Sequence, residues 1–178
     1  MIRAASSSYN MSQSTTNKRR HALSMQLTAK HLEQIEVMGD GNCLFRALSV
    51  GAYGDQSAHT QLRDSIAQHL IDHGKAIFAS AGLAPSDPSS IAKSADALRQ
   101  PGTWAGEDAI LLAANFLQRD INVYVANETA SPLVYSPLCC PSISSPICLA
   151  FVEPGHYNAV VSSSNSALPN RPCVSNIA

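Results

Sequence analysis

Charge is scarce in this 178-residue chain: only 14% of its residues are charged, and they nearly cancel to a net −1. A balance that close to neutral argues against a general role on nucleic acid or other polyanions. No apolar run approaches the ~18 residues of a membrane span, so no membrane partner is expected. The N-terminus lacks the apolar stretch of a secretory signal, and an intracellular, cytoplasmic setting is expected. Cysteine occurs five times, an odd number without repeated spacing, which speaks against a disulfide framework. His69 and His73 stand four apart, but no cysteine or carboxylate joins them at ligand spacing, so a solvated helix face is the better reading. No metal or cofactor is expected. There is no internal repeat. What remains is a chain with 45% apolar residues, enough for the core of one domain with tails.

Residues 1–23 are rich in Ser, Thr, Asn and Gln around a basic triplet, Lys18-Arg19-Arg20. This composition reads as a flexible polar tail. The triplet fits a nuclear-import or anionic-surface signal, but a solvated charge cluster is the simpler reading. A folded region is expected over 24–162, starting with a short helix from about Ser24 to Ile35. Cys43–Val50 reads as a buried helix. Ser57 reads as the cap of a long amphipathic helix through Leu62, Ile66, Leu70, Ile71 and Ile77, ended by Gly82. Pro85-Ser86-Asp87-Pro88 reads as a turn, followed by a helix through Leu98. Glu107–Arg119 is an apolar helix with acids in its first turn. Four strand-like runs follow: Ile121–Val125, Leu133–Tyr135, Ile147–Val152 and Tyr157–Ser162. Asn127, Pro137, Pro141 and Pro154 fall in the turns between them. Helices followed by strands indicate an α+β fold. Residues 163–178 read as a flexible polar tail.

The chemistry concentrates in two places. Asp40-Gly41-Asn42-Cys43 delivers a cysteine through a Gly-Asn turn to the first turn of a helix. Unpaired N–H groups and a partial positive charge there favour the thiolate, which is the nucleophilic form. On this reading Cys43 attacks an amide carbonyl; the alternative is an inert buried thiol. Far downstream, Gly155-His156-Tyr157-Asn158 lies on an apolar run. His156 suits a general base and acid near neutral pH. Asn158, two positions on, shares its strand face and can orient the imidazole. The result is a Cys–His–Asn arrangement. Asp40 can fix the turn by accepting nearby N–H bonds, leaving the N–H groups of Asn42 and Cys43 to face an oxyanion. Gly41 and Gly155 permit close backbone approach, as the walls of a narrow substrate channel would need. Trp104 is the only tryptophan; a place stacked over the catalytic groove fits it, but a core anchor between helix and sheet is the simpler reading. Cys139, Cys140 and Cys148 read as ordinary thiols, and Cys173 as an exposed one.

The stretch Asp40-Gly41-Asn42-Cys43-Leu44-Phe45-Arg46-Ala47 resembles the nucleophile motif of the ovarian tumour (OTU) family of cysteine proteases. Phe151-Val152-Glu153-Pro154-Gly155-His156-Tyr157-Asn158 is similar to the family's histidine strand. The run from Trp104 to Ala114 resembles its Trp-Gly-x-x-x-Glu-Leu-x-Ala helix, with Ala105, Gly106 and Ile110 as departures. The resemblance implies a papain-like fold, with a central, mostly antiparallel sheet between helical lobes. It also implies hydrolysis of the isopeptide bond at the ubiquitin C-terminus, a substrate ending in Gly-Gly, and a monomer that binds ubiquitin or polyubiquitin. Asp40 would then shape the turn and support the oxyanion hole. Many family members carry Asp where Asn158 stands, so this pair is expected to draw on a further partner. Residues 57–100 are the expected ubiquitin-contacting insert. A stand-alone cellular enzyme, a viral protease and a bacterial effector acting in a host cell all fit. Two other readings stay open: a papain-like protease for another ubiquitin-like modifier or a viral polyprotein, and a non-catalytic ubiquitin-binding scaffold.

Overall fold

The structure is a computed structural model that describes residues 3–82, 87–126, 131–138, 141–142, 144–152 and 155–163, with side chains from residue 15 onward. The expectations for Pro85, Ser86, Asn127, Cys139, Cys140, Pro154, Cys173 and the tail beyond 163 lie outside the described residues. The elements run α1 (Arg3–Thr28), β1 (Leu32–Ile35), α2 (Cys43–Tyr53), α3 (His59–Ser80), α4 (Pro88–Arg99), α5 (Glu107–Leu117), β2 (Ile121–Tyr124), β3 (Leu133–Tyr135), β4 (Ile147–Val152) and β5 (His156–Ser162).

The strands form one sheet in the order β1-β5-β4-β2-β3. Only β2–β4 is parallel; β1–β5, β4–β5 and β2–β3 are antiparallel. The sheet is therefore mostly antiparallel and the fold α+β, as expected. Alternation along each strand sorts its side chains to two faces. Val123, Leu149, Tyr157 and Ala159 join the large core with α2, α3 and α5. Tyr124, Ala150 and Val160 face the other way and are covered by Leu23 and Leu27 of α1.

Each helix has a local reason to start or stop where it does. In α2, Leu44, Ala47 and Leu48 are buried, and Gly54 ends it at φ +92° with its N–H on the Val50 carbonyl. In α3, Leu62, Ile66, Leu70, Gly74 and Ile77 make one buried stripe. Asp87 caps α4, its carboxylate accepting from Ser89 N at 2.9 Å and Ser90 N at 3.1 Å, with Pro88 at the first position. Ser57, expected to cap α3, is bound to Asp55 instead.

The N-terminal part departs from expectation. From Arg3 on, the segment whose composition predicts a flexible tail belongs to α1, whose helix needs no partner for its own backbone bonds. The helix expected through Ile35 ends at Thr28. His31 then turns the chain at φ 55°, and Leu32–Ile35 pairs with Ala159–Ser162. All four β1 residues are half-buried, so no hydrophobic alternation marks the strand. Ladder bonds to β5 decide its conformation.

Helix α2 meets the sheet at Gly51, where an added Cβ would come within 2.5 Å of Ile147 Cγ2 on β4. Ile147 is buried and β-branched, so it has little room to yield. Gly51→Ala is expected to destabilise the fold by about 1–3 kcal/mol, read as a lowered urea midpoint with an unchanged slope.

Candidate active site

Three segments converge at one end of the sheet. The turn before α2 carries Gly39 to Cys43, the segment before α5 carries Gly102 to Trp104, and the start of β5 carries Gly155 and His156. Gly39 lies against the His156 ring: a Cβ there would sit 3.8 Å from both Cε1 and Nδ1. Gly102 fills the space beside Gly41, and Trp104 Nε1 donates to the Gly155 carbonyl at 3.0 Å.

His156 and Asn158 share a face of β5, with Nε2 of the ring 3.0 Å from Asn158 Oδ1. The amide's orientation follows from its other neighbours. The Val37 N–H reaches the same oxygen at 3.3 Å, and Asn158 Nδ2 donates to Gln34 Oε1 at 3.3 Å. A backbone N–H only donates, so the shared atom must be the carbonyl oxygen. Nε2 then has to carry the proton. Nδ1 is left as the acceptor, on the ring edge that faces Gly39 and the cysteine turn. The further partner expected for a neutral amide is thus β1 and the residue after Glu36.

Cys43 occupies the first helical position of α2 and is buried and unpaired. Asn42 stands at the N-cap without capping: its Oδ1 accepts from Gly102 N at 3.0 Å. The first N–H groups of α2 thereby keep their positive end exposed to whatever lies at the thiol. The Cys43 N–H has no acceptor among the described residues.

Asp40 is fixed by Arg46, with Oδ2 2.7 Å from Nη2 and Oδ1 3.2 Å from Nε. That bidentate bond, helped by Asn42, holds the Asp40 carboxyl well below the usual carboxylate range. Asp40 is a standing anion, not a proton donor. Its Oδ1 also accepts the Asn42 N–H at 3.1 Å. This corrects one expectation: the Asn42 N–H belongs to the turn and does not face an oxyanion. Tyr157, beside His156, is no rival base. Burial, followed by the charges of an ionised Cys43 and of Glu107, pushes its hydroxyl up to about 12.

Two further expectations change. Trp104 is 56% exposed, not a core anchor, and its indole N–H braces the backbone next to His156. Gly41 has φ +79°, and its missing side chain leaves room for the Gly102 carbonyl, 2.0 Å from where a Cβ would be. It serves internal packing, not a channel wall. A cleft of about 460 Å³ lies on the α1 side of the histidine, lined by Arg20, Leu23, Glu36, Gly39, His156 and Asn158.

Sequence reasoning passed over Arg63. Its side chain is buried, and it donates to Leu98 O at 2.6 Å, Thr103 O at 2.8 Å and Gly41 O at 3.1 Å. The signal was available: position 63 precedes Ile66, Ala67, Leu70 and Ile77 on the buried stripe of α3, where a cation has no solvent.

Comparison with known proteins shows the family and the fold. The sequence pattern of the OTU-like cysteine proteases matches residues 38–157, about two thirds of the chain. OTU domain-containing protein 1 of Mus musculus is 29% identical over 138 residues, covering 75% of this chain. The chain spans only 29% of that relative's length. The solved OTU domain of OTUD1 superposes with a TM-score of 0.67 at 28% identity, covering 80% of this chain and 94% of that one. An OTU domain solved in complex with ubiquitin has a TM-score of 0.53 at 19% identity, covering 72% of this chain and 69% of that one, a likeness of fold.

The sign of the Asp40 linkage sets a pH test. Its carboxyl is depressed in the folded state, so its contribution is present above about pH 4 and fades as pH falls further. Between pH 5 and 2, wild type is expected to lose on the order of 1 kcal/mol more stability than Asp40→Asn. Urea midpoints across that range check it; parallel curves would contradict it.

Proposed function

The chain belongs to the OTU-like cysteine protease family, and on that premise we propose that it is a deubiquitinase. It hydrolyses the isopeptide bond between the ubiquitin C-terminus and a lysine. Cys43 is the nucleophile, His156 the general base and then acid, and Asn158 the residue that orients His156. The observation that carries this reading is the Asn158 anchor. With Nε2–H committed to Asn158 and Nδ1 turned towards the cysteine turn, the imidazole is set to take the thiol proton.

The step runs as acyl transfer. The Cys43 thiolate adds to the carbonyl of the last glycine, and negative charge develops on its oxygen. The Cys43 N–H and the uncapped first turn of α2 are the donors available to that oxygen. The imidazolium protonates the departing lysine amine, leaving a thioester on Cys43. Water, deprotonated by His156, then releases the ubiquitin carboxylate. Asp40, held by Arg46, keeps the turn in shape and takes no proton.

Ubiquitin is the partner, a proposal supported by the OTU domain solved with ubiquitin. The buried Arg63 ties α3 and the end of α4 to the cysteine turn, and the opposite, exposed faces of these helices supply contacts to ubiquitin. Gly155, at φ +78° beside Trp104, is the channel glycine that the site retains. The catalytic unit is 24–162, extended by the last turns of α1 because Leu23 is buried on the sheet. It acts as a monomer in the cytoplasm. No described helix is long and apolar enough to cross a membrane.

The test is a ubiquitin bearing a C-terminal electrophile. Wild type is expected to form a covalent adduct and Cys43→Ala none. Asn158→Ala should still react but turn over a ubiquitin amide roughly 10- to 100-fold more slowly. No adduct from a wild type that iodoacetamide still alkylates would redirect the site to another modifier. No reaction with either reagent would leave a binding scaffold.

A further inference from the structure

Arg63 is 1% exposed and has no carboxylate within ion-pair distance among the described residues. Its guanidinium lies 4.2 Å from the centroid of the Phe45 ring in α2. Nη1 donates to the carbonyl of Leu98 at the end of α4, and Nη2 to those of Thr103 before Trp104 and Gly41 in the cysteine turn. Burial works against the cation, while the charges of Asp40, Asp64 and an ionised Cys43 favour it. An apolar side chain at this place on the α3 stripe would fill the volume without that desolvation. The arginine therefore needs a reason beyond packing.

We propose that Arg63 is a positioning residue that locks the Gly41–Asn42 peptide plane and so fixes how the turn presents Cys43 and its N–H. The inference rests on Cys43 being the nucleophile of the proposed reaction.

In a trans peptide the carbonyl and the following N–H point in opposite directions. Here Arg63 Nη2 holds the Gly41 carbonyl at 3.1 Å, and Asp40 Oδ1 holds the Asn42 N–H at 3.1 Å. Asp40 is in turn clamped by Arg46. One peptide plane is pinned on both edges, each by charge-assisted bonds. The pinning matters at this position because Gly41, at φ +79°, borders a peptide whose rotation meets little steric resistance. The Gly102 loop closes the remaining side. Its carbonyl abuts Gly41, its N–H is bound to Asn42 Oδ1, and its flanks are tied to Arg63 through Leu98 and Thr103. A lysine's three donors radiate from one nitrogen, whereas the planar guanidinium reaches these carbonyls from two separate ones, Nη1 and Nη2.

Arg63→Lys keeps the charge and loses the fork. In a ubiquitin–fluorophore amide assay it is expected to lower kcat by roughly tenfold or more, with KM within about twofold. Alkylation of Cys43 by iodoacetamide should stay within about threefold, since that displacement forms no oxyanion. Hydrogen exchange at the Asn42 amide should accelerate at least about tenfold while the α2 interior stays protected. Gly102→Ala is exposed and leaves the core intact; it strains a residue held at φ +79° in the loop that abuts Gly41, and should act in the same direction if Arg63→Lys does not fold. Turnover within twofold of wild type, an equal loss of alkylation, or unchanged Asn42 exchange in a folded variant would overturn the proposal. Exchange needs no substrate, so it still decides the matter if wild type turns over no ubiquitin, an outcome that would instead sink the deubiquitinase reading.

Discussion

A buried cation shared among backbone carbonyls holds this molecule's working end together. Arg63 joins α3 to the end of α4, to the segment before Trp104 and to the turn before α2. These segments are distant in sequence and have few apolar residues of their own with which to pack. Directional bonds replace hydrophobic contact there, and they fix orientation where burial alone would fix only proximity. The core of α2, α3, α5 and the sheet supplies the platform. The guanidinium supplies the alignment on top of it.

The same logic extends to the other charged and polar groups of the site. Arg46 holds Asp40, Asp40 holds the Asn42 N–H, and the Asn42 side chain holds Gly102. On β5, Val37 and Gln34 hold Asn158, and Asn158 holds His156. Each group of the proposed site is positioned by a residue that is itself positioned. A neutral amide can serve beside the imidazole because its own orientation is determined by a backbone N–H that has no freedom to reverse. An aspartate would orient the ring without that second anchor; the asparagine depends on β1 being where it is.

Much of this was legible in the sequence. Cys43 at a helix start and His156 with Asn158 on one strand face follow from residue order and strand period. Strands β2 to β5 stand out as apolar runs between turn residues. What was hidden depends on contacts distant in sequence. Strand β1 carries Leu32-Glu33-Gln34-Ile35, a pattern as compatible with a helix, and only its ladder to β5 decides. The Asn42 N–H is the local exception: Asp40, two residues earlier, takes it in an Asx turn, which residue order permits but does not by itself select. Trp104 looked like core because large aromatics usually are; its exposure follows from its bond to Gly155, far along the chain. Arg63 was readable as a cation on a buried stripe, but the carbonyls that receive it were not.

The central claim is that an anchored asparagine sets the proton on His156. Nitrogen-15 NMR of the imidazole in Cys43→Ala, at a pH where the ring is neutral, tests it most directly. The account predicts the proton on Nε2, with Nδ1 unprotonated on the ring edge that faces Gly39 in the cysteine turn. A neutral ring protonated on Nδ1 would mean that Asn158 does not orient the base, and the assigned roles would fail with it.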